Sequence, residues 1–420
     1  MKFPRSLLLQ FLVLLAMVSS GAICGTAQDP ITEWHAEAVR LTILPASNLA
    51  PAAQTRHMAI IQLSVHDAVN GITKRYRTYM PTEPAISGAS PNAAAIGAAH
   101  EALRTLFSGS AGDLDTKFLA SLALHGVDPA DPGVAYGRAA AAAILAARAS
   151  DGASMAQFNY MAPGAGLPGI WQPLTAQPAL LPGWGNVTPF VLRSGDQFRP
   201  GPPPPLNSEQ YARDVNEIME IGALNSTVRS ADQTKYSTFW LASPVAIWSQ
   251  PLTDLIEHHG FDLSERARTY ALVYTSAADS SIACWDAKYT YNFWRPQPAI
   301  RRADEDGNDR TVPDAAWAPL FTTPRHPEYP SGHTTNSTAM VRIMQFIFGD
   351  VPAIPVSSTI GPNTREWAAF EEGLDEVIEA RIWSGLHFRT ADEVGSKHGA
   401  KVAHFVWTHA LQECRGNICS

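Results

Sequence analysis

Three short stretches near the C-terminus carry residue types that could hold a tetrahedral oxyanion and move protons on it. They are Lys288-x6-Arg295-Pro296, Pro330-Ser331-Gly332-His333 and Arg381-x5-His387. A lysine is a point charge and an arginine a planar donor fork, so together they suit different oxygens of one anion. Trp285, Tyr289, Tyr291, Phe293 and Trp294 surround the first pair and predict its burial, and buried cations need anionic partners. Ser331 reads as a helix N-cap, and Gly332 lets backbone approach a ligand closely. Free amides and the dipole at such a helix start favour an anion, and His333 at that mouth could exchange a proton near neutral pH. Each stretch alone also fits something plainer: a solvated face, an ordinary capped helix or an interhelical corner. Their succession within residues 288–387 favours one shared oxyanion site.

Helices must position these residues. Periodicity and propensity predict them over Ala93–Leu106, Val134–Ala149, Glu209–Gly222, Ser264–Trp294, His333–Phe348, Thr364–Ser384 and Ala391–Leu411, an all-α fold of helical bundles. Seven residues make about two turns, which puts Lys288 and Arg295 on one face, and Pro296 puts Arg295 at or near the helix end. Gly385 is expected to stop the helix carrying Arg381, and Thr390-x-x-Glu393 to open the next with a capping box. His387 then lies in the connector, where the break lets it and Arg381 reach one ligand.

The formal net charge of −8 and pI near 5.9 argue against a nucleic-acid or anionic-membrane partner. Residues 1–27 read as a secretory signal, with Lys2 and Arg5 before an apolar run from Leu7 to Val18. That run falls short of the roughly 20 residues a membrane span needs. A soluble, secreted or periplasmic protein is expected. Cys414 and Cys419 could form a small disulfide, while Cys284 is expected to be an inert buried thiol. Residues 163–205 hold 11 of the 32 prolines, so they cannot continue a helix. The aromatics Trp171, Trp184, Phe190 and Phe198 predict that this segment packs as an ordered crossover. The expected organisation is an N-terminal helical half over 28–162, a crossover over 163–207 and a C-terminal bundle over 208–420 carrying the chemistry.

In combination the three motifs, KYTYNFWRP, PSGH and ARIWSGLH, resemble the superfamily joining vanadium-dependent haloperoxidases with type-2 phosphatidic acid phosphatases and bacterial acid phosphatases. WDAKYTYNFWRPQPAIR, HPEYPSGH and GLHFRTAD look like its bacterial haloperoxidase-like branch, and the likeness covers residues 170–411 well. The resemblance implies that Lys288, Arg295 and Arg381 hold equatorial oxygens of the anion with the Ser331 hydroxyl and the Gly332 amide. His387 would be the axial group, a ligand to vanadium in a peroxidase or a nucleophile in a phosphatase, and His333 the acid/base. The implied activity is halide oxidation by hydrogen peroxide at a His-bound vanadate, with a small organic acceptor. The alternative is a secreted acid phosphatase that cleaves a phosphomonoester through phospho-His387 and needs no cofactor. A third is a non-catalytic oxyanion binder.

Two positions depart from the phosphatase pattern. Ala380 stands where a Ser normally precedes the Arg, and Ala391 where an Asp normally follows the second His by four, with Asp392 one residue later. Asp392 or a backbone carbonyl is expected to hold the other nitrogen of His387. His326 occupies a position that is aromatic in chlorinating fungal relatives and His in brominating algal ones, which implies a pocket-edge role and bromide or iodide oxidation. Asp279 and Asp286 are expected to pair with basic residues away from the site, and His66-Asp67 to be a buried polar contact.

Overall fold

The computed structural model describes residues 29–81, 83–85 and 87–414. The signal segment over 1–27 and Cys419 lie outside them. The N-terminal half is built from α1 (Pro30–Ile43), α2 (Pro51–Thr73), α3 (Pro91–Leu106), α4 (Ala111–Leu124) and α5 (Pro132–Arg148). The chain then runs without an α-helix to α6 (Glu209–Ile221), α7 (Ala231–Phe239), α8 (Pro244–His259) and the 29-residue α9 (Leu263–Tyr291). There follow α10 (Pro296–Arg301), α11 (Gly332–Phe348), a hairpin of β1 (Val356–Ile360) and β2 (Asn363–Trp367), α12 (Phe370–Trp383) and α13 (Arg389–His409). No helix among the described residues is long and apolar enough to cross a membrane.

Helix α9 joins the two halves. It opens on a reciprocal Asp262/Glu265 capping box and is buried along most of its length. It packs on α2 in the N-terminal half and on α11 and α13 in the C-terminal half, and one apolar core runs through both. Ala140 and Ala141 lie on the close contact of α5 with α3, where a Cβ on Gly137 would sit 2.1 Å from the Ala94 carbonyl oxygen. Helices α11 and α13 approach as closely, through Gly395 and Gly399: a Cβ on Gly399 would lie 2.2 Å from the Thr335 carbonyl oxygen.

The proline-rich segment is a packed strap. Trp171, Trp184 and Phe190 are buried, and Ile170 forms a β-bridge with Phe293. The Asp279 carboxylate on α9 accepts the amides of Phe190, Val191 and Leu192 at 2.6–2.8 Å. Asp279 therefore meets backbone donors instead of the basic partner expected of it, while Asp286 does pair with Arg199.

Two helix boundaries differ from expectation. Residues 363–367 form β2 instead of the start of α12, because β-branched and alternating residues flank the two-residue Gly361-Pro362 turn and pair Val356 through Ile360 with Trp367 through Asn363. Helix α9 ends at Tyr291, where Asn292 turns left-handed at φ 47°. Arg295 is thus not on the face of Lys288; it caps the short α10.

Candidate functional site

The redirected chain brings Arg295 back over Lys288's side of the bundle. Lys288, Arg295, Ser331, Arg381 and His387 are all at most 2% exposed. Lys288 Nζ donates to the carbonyls of Pro327, Glu328 and Pro330, which ties α9 to the PSGH segment. Arg295 spans the other two segments: Nη1 reaches the Leu386 carbonyl at 2.9 Å and His387 Nε2 at 3.2 Å, and Nη2 lies 3.0 Å from His326 Nδ1. Arg381 donates to the Trp240 carbonyl. Among the described residues none of these three cations makes an ion pair with a carboxylate.

Ser331 stands at the N-cap position of α11, yet its hydroxyl caps nothing and has no hydrogen-bond partner among the described residues. Buried Arg381 Nε is likewise without an acceptor. The Gly332 backbone faces Trp285 and Lys288, and a Cβ there would lie 3.3 Å from the Trp285 ring. His333 projects from the first turn of α11, with Nε2 3.2 Å from the Ala242 carbonyl, which can only accept. Its Nδ1 therefore keeps the lone pair. Gly385, at φ 73°, ends the turn after α12 as expected and leaves His387 in the connector. The Thr390 capping box does not form: α13 starts two residues earlier, at Arg389 behind Phe388, and Thr390 Oγ1 accepts from Gln210 instead.

The electrostatics are those of a cation cluster held away from water. Burial pulls Lys288 down to about 8 and Arg295 and Arg381 down to about 10. Burial, reinforced by these cations, holds His326, His333 and His387 well below the ordinary histidine range, so all three rings are neutral. Burial drives Asp392 well above the ordinary carboxyl range; it lies beside the Ser331 hydroxyl without meeting hydrogen-bond geometry.

Asp392 does not orient His387. Glu328 does, with Oε1 2.9 Å from His387 Nδ1 and 3.0 Å from the Phe388 amide. Glu328 is fully buried, and burial raises its carboxyl to about 8. The sequence reading missed it because its position, two residues before the PSGH run's Pro330, carries no spacing relation to His387. His326 is buried against Trp285 with ring centroids 5.1 Å apart, so it is a wall of the cluster and no surface residue. A cavity of about 760 Å³ lies between the N-terminal half and the strap, lined by Ile60, Leu145 and Trp184; its Arg56 and Arg148 are paired with Asp151.

Comparison with known proteins bears on this arrangement. A family model described as the VCPO second helical-bundle domain matches residues 268–416, the span that holds every residue of the cluster. Over this span, about a third of the chain, the C-terminal bundle is similar to that family's second helical-bundle domain. Vanadium chloroperoxidase of Curvularia inaequalis is 24% identical in a match covering 39% of this chain and 32% of that protein, so the chain spans about a third of that relative. The first bacterial vanadium-dependent iodoperoxidase structure superposes with a TM-score of 0.78 at 23% identity, over 92% of this chain and 98% of that one. A holo-type bacterial vanadium-dependent chloroperoxidase gives 0.71 at 18%, over 91% and 98%. The helical fold of these two structures therefore extends through both halves of this chain.

Proposed function

We propose that the chain is a vanadium-dependent haloperoxidase that oxidises halide, with bromide or iodide favoured, using hydrogen peroxide. One observation carries the reading: three buried cations without carboxylate partners converge with an unpartnered hydroxyl on a neutral histidine nitrogen. That donor set fits a tetrahedral oxyanion, since Lys288, Arg295, Arg381, the Ser331 hydroxyl and the Gly332 amide complement oxygens, and His387 Nε2 offers a lone pair. Bound vanadate would supply Lewis-acid activation of peroxide. The cations would offset its charge in a site from which water is excluded, where donors already in place act most strongly. His333, neutral and with Nδ1 open, would take the proton from incoming peroxide and return it to the departing oxygen. His326 would border the halide's approach.

A second reading keeps one specific support. The displaced Asp392 argued against a phosphatase, but Glu328 provides the carboxylate that a nucleophilic His387 needs. The neighbours in fold and the VCPO-type bundle favour the peroxidase. The test is to assay purified protein for bromination of a phenol dye by peroxide, with and without orthovanadate, alongside p-nitrophenyl phosphate hydrolysis. Vanadate-activated bromination is expected. Hydrolysis that vanadate inhibits, without bromination, would overturn the reading in favour of the phosphatase.

A further inference from the structure

We infer that Glu328 is the positioning residue that presents His387 Nε2 to the bound oxyanion, replacing the aspartate of the pattern from a different segment of the chain. The inference rests on the oxyanion reading of the site and deepens it.

The protonation pattern follows from the neighbours. Arg295 Nη1 lies 3.2 Å from His387 Nε2, and a guanidinium can only donate. Nε2 therefore carries the lone pair, and the ring proton sits on Nδ1, pointing at Glu328 Oε1 at 2.9 Å. Without Glu328 no other group among the described residues accepts that proton, and the ring would be free to turn or to exchange tautomers. Glu328 is itself fixed at four points. Its amide donates to the Phe293 carbonyl, its carbonyl accepts from Lys288 Nζ, and its Oε1 takes both the Phe388 amide and His387. One residue thus registers the Lys288–Arg295 segment, the PSGH segment and the His387 connector against one another. The Asp392 carboxylate, by contrast, has no hydrogen-bond partner among the described residues.

The sign of one measurement separates positioning from bulk charge. Removing an acidic side chain from a cage that binds an anion leaves binding unchanged or stronger if only charge matters. It weakens binding if the carboxylate holds the ligating ring, by about 10–100-fold for groups of this kind.

The experiment measures orthovanadate binding to full-length protein by vanadium NMR, with inorganic phosphate as a second probe. The variants are Glu328→Ala, Glu328→Gln, His387→Ala and the Glu328→Ala/His387→Ala double variant. The expected result is a 10–100-fold loss in Glu328→Ala, a smaller loss in Glu328→Gln, whose carbonyl oxygen still accepts from Nδ1, and under twofold further loss when Glu328→Ala is added to His387→Ala. Nitrogen NMR of wild-type protein labelled at histidine should show His387 protonated on Nδ1. Equal losses in both backgrounds, tighter binding in Glu328→Ala, or a ring protonated on Nε2 would each overturn the inference. If Glu328→Ala does not fold, the wild-type ring and Glu328→Gln decide. If wild-type protein binds neither anion, the functional reading falls, and the ring's protonation still decides for or against Glu328.

Discussion

In the N-terminal half, Asp151 lies 2.8 Å from both Arg56 and Arg148, and Arg148 also donates to the carbonyls of Thr188 and Pro189. In the C-terminal half, Lys288, Arg295 and Arg381 are buried at least as deeply and meet only carbonyls and imidazoles, with Ser331 Oγ and Arg381 Nε left unmatched. Desolvation costs are similar in kind at both places. The difference is that the first cluster has a carboxylate shared between its two cations, whereas the three cations of the second make no ion pair among the described residues. Buried charge ties the first half together, while in the second, on the proposed reading, it awaits an anion.

Four outcomes would sharpen or break this contrast. The largest concerns acid. Burial holds His35 at about 3 and His57 and His66 at about 4, all in the N-terminal half. The unfolded chain takes up protons near 6.5, whereas these folded rings stay neutral, so these three groups withdraw stability as pH falls from about 6.5 towards 4, by up to about 4 kcal/mol per pH unit together, while buried Asp67, raised to about 7, acts in the opposite sense. Urea midpoints between pH 7.5 and 4.5, wild type against a His35→Gln/His57→Gln/His66→Gln variant, should report this as a steeper acid loss in the wild type; equal slopes would contradict it. Next come two deletions. Asp151→Ala strands two cations and should lower stability by about 3 kcal/mol with vanadate affinity within twofold of wild type. Arg381→Ala should do the reverse, weakening vanadate about 100-fold while the denaturation midpoint holds or rises, because it removes a buried charge without stranding a partner. If Arg381→Ala unfolds the protein and Asp151→Ala does not, the contrast is wrong. The smallest effect is expected from Ser331→Ala: about tenfold weaker vanadate binding, with stability changed by under about 0.5 kcal/mol, since the hydroxyl makes no bond to lose.

Much of the cluster was legible in the sequence because its members sit in dense local motifs. Lys288, Arg295, PSGH, Arg381 and His387 all announce themselves by type and spacing, and Gly385 correctly marks the break that frees His387. What failed were readings that extend local periodicity through a tertiary decision. The helical pattern runs on past Tyr291, but Asn292 turns left-handed as the Ile170–Phe293 bridge takes over the backbone bonds. Thr364 looked like a helix start, yet its partner across the hairpin is Thr359, a pairing no helical window can contain. Glu328 was invisible for the same reason: its importance is a single contact 59 residues away along the chain. The polar satisfaction of buried groups, which separates the two halves, exists only in three dimensions.

The glycines where α13 leans on α11 have a consequence of their own. A Cβ on Gly395 would lie 2.4 Å from Thr334 Oγ1 and 2.8 Å from the Ser331 carbonyl oxygen, just beneath the first turn of α11. The floor under the Ser331–Gly332 turn, the proposed oxyanion seat, is thus one hydrogen atom thick. A single methyl group inserted there would act as a shim, tilting the seat and loosening its hold on whatever lies in it, while every residue that grips the guest stayed chemically intact.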